Sequence, residues 1–484
     1  MPIRTANEYI DSLRNRKLRV YLFGELVEDP VEHPVIRPSI NAVADTYALA
    51  EEDPELATAS SKLTGQRVNR FLQVTESVDD VVMQNRMQRR LGQRTGTCFQ
   101  RCVGMDAINS MFSVTYEIDQ KHGTEYHARF VEFVKHMQRE NFVVGGAMTD
   151  PKGDRSKAPH EQEDPDLFLR VVERRPDGVV IRGAKMHQTG SLNSHWLVVM
   201  PTMRLGEQDK DYAICAGIPV DHPNIAYIYG RQSCDERALG GEIDAGNAQF
   251  GGQEVMIVFE DVFVPNSHVF MNGEWSFAAS LVERFTAYHR RSYVCKTGLG
   301  DVLIGAAAAI ADYNGADKAS HIKDKLVEMT HLNETIYSAG IASSHESKRT
   351  QAGNFQNDEM LANVCKHNVT RFPYEIARLA QDMAGGLMVT LPSDQDFKNP
   401  ATKPILEKYL KTRPGVSVDN RRRVLRLIEN MTMGRNAVGY LTESMHGAGS
   451  PQAQRIQIAR LSDLPGKKKL AEKLAGVKPD GDKK

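Results

Sequence analysis

The sequence predicts an α+β chain, mostly α-helical, with a helical first part, a β-rich middle and a long helical last part. Three observations predict it. Apolar residues recur at helical spacing before about residue 141, short β-branched runs separated by turns come next, and helical spacing returns from Phe277. With 484 residues, 41% hydrophobic and 25% charged, the chain can fill roughly two to four domain-sized cores.

The elements follow in order. Amphipathic patterns at 5–14, 39–51 and 78–91 read as helices, with Pro30, Pro34 and Pro38 punctuating the loop between the first two. Residues 1–141 are therefore expected to form an N-terminal helical domain. Within 142–276 the runs LFLRVVERRPDGVVIRGAKMHQTG, HWLVVM, YAICAGIPV and QEVMIVFEDVFVP read as strands of a central β domain, and Pro176-Asp177-Gly178 signals a hairpin. Residues 277–466 read as a C-terminal helical bundle, its clearest segments being DVLIGAAAAIADYNGA, IKDKLVEMTHLNETIYSAGIASS, MLANVCKHNVTRFPYEIARLAQDMA and RRRVLRLIENMTMG. The Lys-rich stretch 467–484 reads as a solvated, frayed basic tail. There is no internal repeat and no P-loop. A near-match to a dinucleotide fingerprint at 298–305 follows no strand, so a dinucleotide would have to be held without a Rossmann fold.

Charge narrows the partners. The formal net charge of -1 offers no excess field for nucleic acid or an anionic membrane, which favours small or CoA-type ligands. The longest apolar stretch, 302–311, is about half the ~20 residues that span a bilayer, and the N-terminus has no apolar signal segment, so a cytoplasmic location is expected. Six cysteines (Cys98, Cys102, Cys215, Cys234, Cys295 and Cys365) are too few for a disulfide scaffold at this length. They should be free thiols or metal ligands.

The sharpest local feature is Cys98-Phe-Gln-Arg-Cys102. In a helix, residues four apart share a face, and both thiols would point the same way. Alone, the pair reads more naturally as two small buried hydrophobes. A second cluster, Tyr288-His-Arg-Arg-Ser-Tyr-Val-Cys295-Lys296, adds an imidazole, a phenol, a thiol and an amine within nine residues. Three thiols and one imidazole are a plausible ligand set for a four-iron cluster in which His replaces one Cys.

These segments, with HPVIRPSINAVADTY from His33, CFQRCVGMDA from Cys98, GAMTDPKGDR from Gly146, GAKMHQTGSLNSH from Gly183, YGRQSCD from Tyr229, QFGGQE from Gln249, ERFTAYHR from Glu283 and TESMHGAGSPQAQRI from Thr442, carry a resemblance over nearly the whole chain. The chain closely resembles the 4-hydroxybutyryl-CoA dehydratases, a branch of the group that includes the 4-hydroxyphenylacetate 3-hydroxylases. The resemblance implies an acyl-CoA dehydrogenase-like fold, a homotetramer, FAD near subunit interfaces and a [4Fe-4S] cluster held by Cys98, Cys102, His289 and Cys295. It also implies dehydration of 4-hydroxybutyryl-CoA to crotonyl-CoA by a flavin radical route with the cluster as Lewis acid, accompanied by vinylacetyl-CoA isomerisation. The family pattern has two glycines before the last cysteine, where this chain has Val294 alone. Six helical steps leave His289 and Cys295 about 120° apart. Ligation by both requires a helix break after Tyr293 or a bulge; otherwise the site is altered or lost.

Roles follow from the same resemblance. His289 is a ligand and the candidate base for the C2 proton, with a core histidine as the plain alternative. Glu443 is the candidate carboxylate near the leaving hydroxyl, or an exposed loop residue, and Tyr293 and Lys296 are candidate hydrogen-bond donors to that hydroxyl. Glu254 and Gln100 resemble substrate-pocket residues, though Glu254 could face solvent. For FAD, the turn in AMTDPKGDR offers Met148, Thr149, Asp150 and Arg155 to a pyrophosphate, or is a surface turn. His187, Gln188 and Thr189 resemble the strand end that abuts a flavin ring, although Thr189 could be only a β former. Gly385 and Gly386 would let backbone approach FAD from a neighbouring subunit, or simply cap a helix. Cys215, Cys234 and Cys365 match no ligand position and read as packing residues. The rival reading is an aromatic hydroxylase using reduced FAD, which shares the fold but has no need of the four ligands.

Overall fold

A computed structural model describes residues 2–231 and 241–477. Cys234 and part of the YGRQSCD motif lie outside the described residues. The fold is mixed α and β, with helix predominating.

Five long helices come first: Ala6–Arg14, Arg37–Glu52, Val78–Thr95, Cys102–His122 and Tyr126–Glu140. Their caps follow local rules. Thr5 and Glu8 form a reciprocal capping box on the first, and Ser77 caps the third, which ends at Gly96 in the left-handed region. The first part is not purely helical, however. Arg19–Leu22 and Glu25–Leu26 are strands, and Arg19–Leu22 pairs in parallel with Ile225–Tyr229, some 200 residues on. Thr58–Ser60 and Arg67–Asn69 form a further two-stranded ladder. Runs of two to four residues carry too little alternation to read in sequence, and the parallel pairing is completed only by a distant partner.

Two sheets form the middle. A six-stranded sheet runs Glu25–Leu26, Arg19–Leu22, Ile225–Tyr229, Glu254–Pro265, Gly178–Thr189, Arg170–Arg175. A four-stranded one runs Val269–Asn272, Ile214–Pro219, Trp196–Val199, Val144–Ala147. The hairpin expected at Pro176–Asp177 is present, closed by Arg175 opposite Gly178. One buried core joins residues of both sheets to the helices that cover them.

The last part is helical, with Ala278–Ser292, Cys295–Tyr313, Ser320–His345, Glu359–Val369, Phe372–Ala384 and Val418–Thr432 as the main elements. The run read as one segment from Met360 breaks at Thr370–Arg371, ahead of Pro373, whose ring cannot continue a helix. The Lys-rich end is not frayed throughout: Leu464–Leu474 is a helix with no buried residue, capped by Asp463. Within Trp275–Tyr313 lies an 18-residue window apolar enough, by composition, to cross a membrane, but 67% of it is buried inside the protein, as in a core helix. The first six residues of Cys295–Tyr313, Cys295 to Gly300, are all buried. A Cβ on Gly298 would lie 2.1 Å from the Arg89 carbonyl, and one on Gly92 would lie 2.5 Å from that of Cys295. Two glycines therefore let the helices Val78–Thr95 and Cys295–Tyr313 touch backbone to backbone.

Candidate active site

Cys98 and Cys102 do not share one helix. Gln100 between them has φ 65°, and the helix Cys102–His122 begins only at Cys102. A residue in the left-handed region breaks the helical repeat, so a loop delivers Cys98 and a helix start delivers Cys102. The Gln100 amide stabilises this bend by donating to the carbonyls of Ser39, Cys98 and Gly251, and its oxygen accepts from Asn193 at 2.7 Å.

Between His289 and Cys295 the chain does break. Ala278–Ser292 ends, Tyr293 and Val294 turn, and a new helix begins at Cys295. Cys102 and Cys295 are therefore each the first residue of a helix. The two thiols meet. Their mutual hydrogen bond lowers the Cys295 pKa and, together with burial, raises that of Cys102. The Gln88 amide approaches the Cys102 sulfur at 3.4 Å. Burial pushes the Cys98 thiol well up, with Glu443 adding to the effect.

His289 sits one turn from Cys102 through Asp106. Its Nδ1 lies 2.8 Å from the Asp106 carboxylate, which also accepts from Ser292 and lies 3.6 Å from the buried Arg291. With Nδ1–H donated to a carboxylate, Nε2 carries the free lone pair. Phe285 stacks on the imidazole and Tyr293 meets it edge-on, each with ring centroids 5.4 Å away.

Lys296, Glu443, Glu254 and Thr189 complete the cluster. The Lys296 ammonium, 1% exposed, donates to the Gly439 carbonyl at 2.7 Å and lies 3.6 Å from Glu443. Burial opposes its charge, but Glu443, Cys295 and Cys98 outweigh that and hold its pKa above the usual lysine value. A Cβ on Gly439 would lie 3.2 Å from the Glu443 carboxylate and 3.7 Å from Cys98, so all three side chains converge there. Glu443 is not on a loop: it follows a π-helical segment, Val438–Thr442, and opens the turn Glu443–His446. Glu254 does not point to open solvent. Its carboxyl accepts from the Thr189 hydroxyl at 2.5 Å, and burial, with Glu443 near, pushes its pKa well above the usual range, which favours the protonated acid. Burial raises the Tyr293 phenol likewise.

The flavin candidates divide. His187 is exposed, with φ 57°, on a bulge where Met186 and His187 oppose Met256 alone. Such a bulge turns a side chain out of the ladder. Gln188 is occupied in stapling two strands, accepting from Met148 N–H and donating to the Thr149 carbonyl. Met148 is buried, and Asp150 pairs with buried Lys185 at 2.5 Å. Arg155 is exposed and forms no ion pair among the described residues. Gly385 caps the helix Phe372–Ala384 with φ 71°, and both it and Gly386 are exposed with open space beside them.

Sequence reasoning missed four residues here: Asp106, Gln88, Arg290 and Lys366. Only Asp106 carried a readable signal, standing four residues after Cys102 on the same helix face. Lys366 is fully buried; burial, with Arg290 and Lys296 near, pushes its pKa down to about 7. Of the cysteines assigned to packing, Cys215 and Cys365 are buried free thiols.

Among the described residues, no three His, Cys, Asp or Glu groups converge as they would around a single ion. A multi-iron cluster asks instead for one ligand at each iron. Three thiols, two of them at helix starts, and an imidazole oriented by a carboxylate fit that demand.

The 4-hydroxyphenylacetate 3-hydroxylase N-terminal profile matches residues 5–271, and its C-terminal profile matches residues 278–476. The chain belongs to this family. It is 57% identical to a 4-hydroxybutyryl-CoA dehydratase/vinylacetyl-CoA-Delta-isomerase of Clostridium aminobutyricum, over 98% of this chain and 100% of that protein. It is similar also to the solved structure of an oxygen-tolerant archaeal 4-hydroxybutyryl-CoA dehydratase from N. maritimus: 67% identity, TM-score 0.97, covering 99% of this chain and 96% of that one. The oxygenase component of 4-hydroxyphenylacetate 3-monooxygenase, solved with FAD and 4-hydroxyphenylacetate, shares the fold at 22% identity and TM-score 0.85, covering 98% of each chain.

Proposed function

We propose that this chain dehydrates 4-hydroxybutyryl-CoA to crotonyl-CoA and also isomerises vinylacetyl-CoA, using FAD and a [4Fe-4S] cluster. The observation that carries the reading is the convergence of Cys98, Cys102, Cys295, Lys296 and Glu443, drawn from segments some 200 and 150 residues apart, with His289 tied in through Asp106. A hydroxylase of the same fold has no use for that donor set. The relatives' names support the same substrate.

Cys98, Cys102, His289 and Cys295 would hold the cluster, and His187, Thr189, Arg155 and the turn at Met148–Asp150 would meet the flavin. When bound, the flavin supplies one-electron chemistry and the cluster a Lewis-acidic iron. His289 would offer the one lone pair of Nε2, the atom left free by Asp106, to the cluster, and would take the C2 proton only when released from it. Lys296 holds the Glu443 carboxylate close, and Glu443 would relay the ammonium's proton to the departing C4 hydroxyl, with the Tyr293 phenol as a second donor. Glu254, kept protonated by burial, and Gln100, fixed by its four hydrogen bonds, would shape the pocket beside Thr189.

The working form would be a cytoplasmic homotetramer of three-part subunits, with Gly385 and Gly386 meeting a neighbour's flavin. Val389, just beyond them, is 81% exposed, as a residue awaiting a subunit contact would be.

Anaerobically purified protein should be brown and hold flavin with about four irons per chain. Cys102→Ala should lose iron and remain folded, measured by iron and sulfide content beside circular dichroism. A yellow, fully active protein without iron would exclude the cluster.

A further inference from the structure

The active-site carboxylate stands on an unusual piece of backbone. Val438–Thr442 is π-helical, Glu443–His446 is one turn of α-helix, and Gly447, Ala448 and Gly449 follow, with Ala448 at φ 56° and Gly449 at φ 94°. Local bonds hold part of it, with Ser444 donating to the Gly439 carbonyl at 2.8 Å and the Gly447 N–H to that of Glu443 at 2.7 Å. The left-handed residues that end it persist only where their surroundings fix them.

Buried basic side chains fix them by donating hydrogen bonds. Lys296 takes the Gly439 carbonyl at one end. Lys366 takes the Ser444 carbonyl at 2.5 Å and that of Met445 at 3.4 Å. Arg290 donates through Nε to the Ala448 carbonyl at 3.0 Å. Lys366 and Arg290 share a brace, since the other end of the guanidinium reaches Asn363, one turn before Lys366 on the helix Glu359–Val369, at 2.7 Å. Neither pairs with a carboxylate among the described residues, although Lys366 is fully buried and Arg290 is 5% exposed. Burying a basic group is costly, and here its carbonyl hydrogen bonds offset that cost together with the field of Glu443 on Lys366 and of Glu359 on Arg290. The Lys366 ammonium also lies 4.5 Å over the Tyr293 ring. The phenol of Tyr293 in turn abuts this segment, for a Cβ on Gly447 would lie 1.8 Å from its oxygen.

We infer that Lys366 and Arg290 are positioning residues, a two-donor clamp on the carbonyls of segment 444–448 that sets Glu443 against Lys296 and Tyr293 against Gly447. The inference rests on the proposed role of Glu443 for its kinetic consequence, but not for its structural one. Loss of the clamp leaves the carboxylate present and misplaced. A misplacement of about 1 Å can cost about 10²-fold in rate.

The test uses the holoenzyme, with Lys366→Met as the first variant and Arg290→Lys, which keeps a cation but cannot bridge Asn363 and Ala448, as the second should the first fail to fold. Hydrogen exchange of segment 443–449 should rise in the variant while exchange elsewhere, flavin and iron stay as in the wild type. Dehydration should fall about 10²-fold and isomerisation much less. Combined with Glu443→Gln, Lys366→Met should add no further loss, because both act through one carboxylate. Lys366→Gln, which keeps a donor, should recover part of the rate. Unchanged exchange at 443–449, or losses that are equal in both reactions and additive with Glu443→Gln, would overturn the clamp. If exchange rises there but the wild type dehydrates nothing, the clamp stands and the proposed reaction falls.

Discussion

His289→Ala is expected to abolish both dehydration and vinylacetyl-CoA isomerisation. Each reaction begins by removing a proton from C2 of a thioester, and His289 is the imidazole whose Nε2 is left free by the Asp106 bond at 2.8 Å. No other histidine is held in this cluster by a buried carboxylate among the described residues. Removal of the ring also removes a proposed ligand, so iron content is measured on the same preparation. Dehydration that survives unimpaired in His289→Ala would take His289 out of the mechanism.

Glu443→Gln should behave differently, slowing dehydration far more than isomerisation. Loss of one acid–base group costs ~10²–10⁴-fold in the step that it serves. Isomerisation has no leaving group to protonate, so it should be largely spared. The substitution keeps the shape of the side chain and its place beside Lys296, 3.6 Å away. Equal losses in the two reactions would mean that Glu443 acts on a shared step or on structure alone.

Much of this was legible in the sequence, and the residues show why. The helices 6–14, 37–52 and 78–95 announce themselves by apolar spacing, and the hairpin at Pro176–Asp177 by its turn residues, because these signals are local. The strand Arg19–Leu22 was not legible, since only its distant parallel partner makes it a strand. The bend at Gln100 hid for another reason. Nothing in Phe-Gln-Arg demands a left-handed residue, and the hydrogen bonds that stabilise one come from Ser39, Gly251 and Asn193. The short His289 to Cys295 spacing left open a break, a bulge or an altered site, and the chain turns at Tyr293–Val294.

The site was legible in its chemistry and opaque in its support. Thiols, imidazole and carboxylates stand out as residue types. Lys366 and Arg290, by contrast, sit in helical patterns where a cation ordinarily faces water, and only the packing of Glu359–Val369 and Ala278–Ser292 against each other and their neighbours buries them. Glu254 illustrates the same limit: its strand position leaves its environment open, and the raised pKa comes from burial and from Glu443, 189 residues away in sequence.

The central claim is tested most directly by mixing anaerobically purified wild-type protein with 4-hydroxybutyryl-CoA and following the thioester products by mass and absorbance. The account predicts crotonyl-CoA formed without oxygen and without an added reductant, since the reaction changes no net oxidation state. Failure to convert the hydroxyacyl-CoA, together with oxygen- and reduced-flavin-dependent hydroxylation of 4-hydroxyphenylacetate, would contradict it.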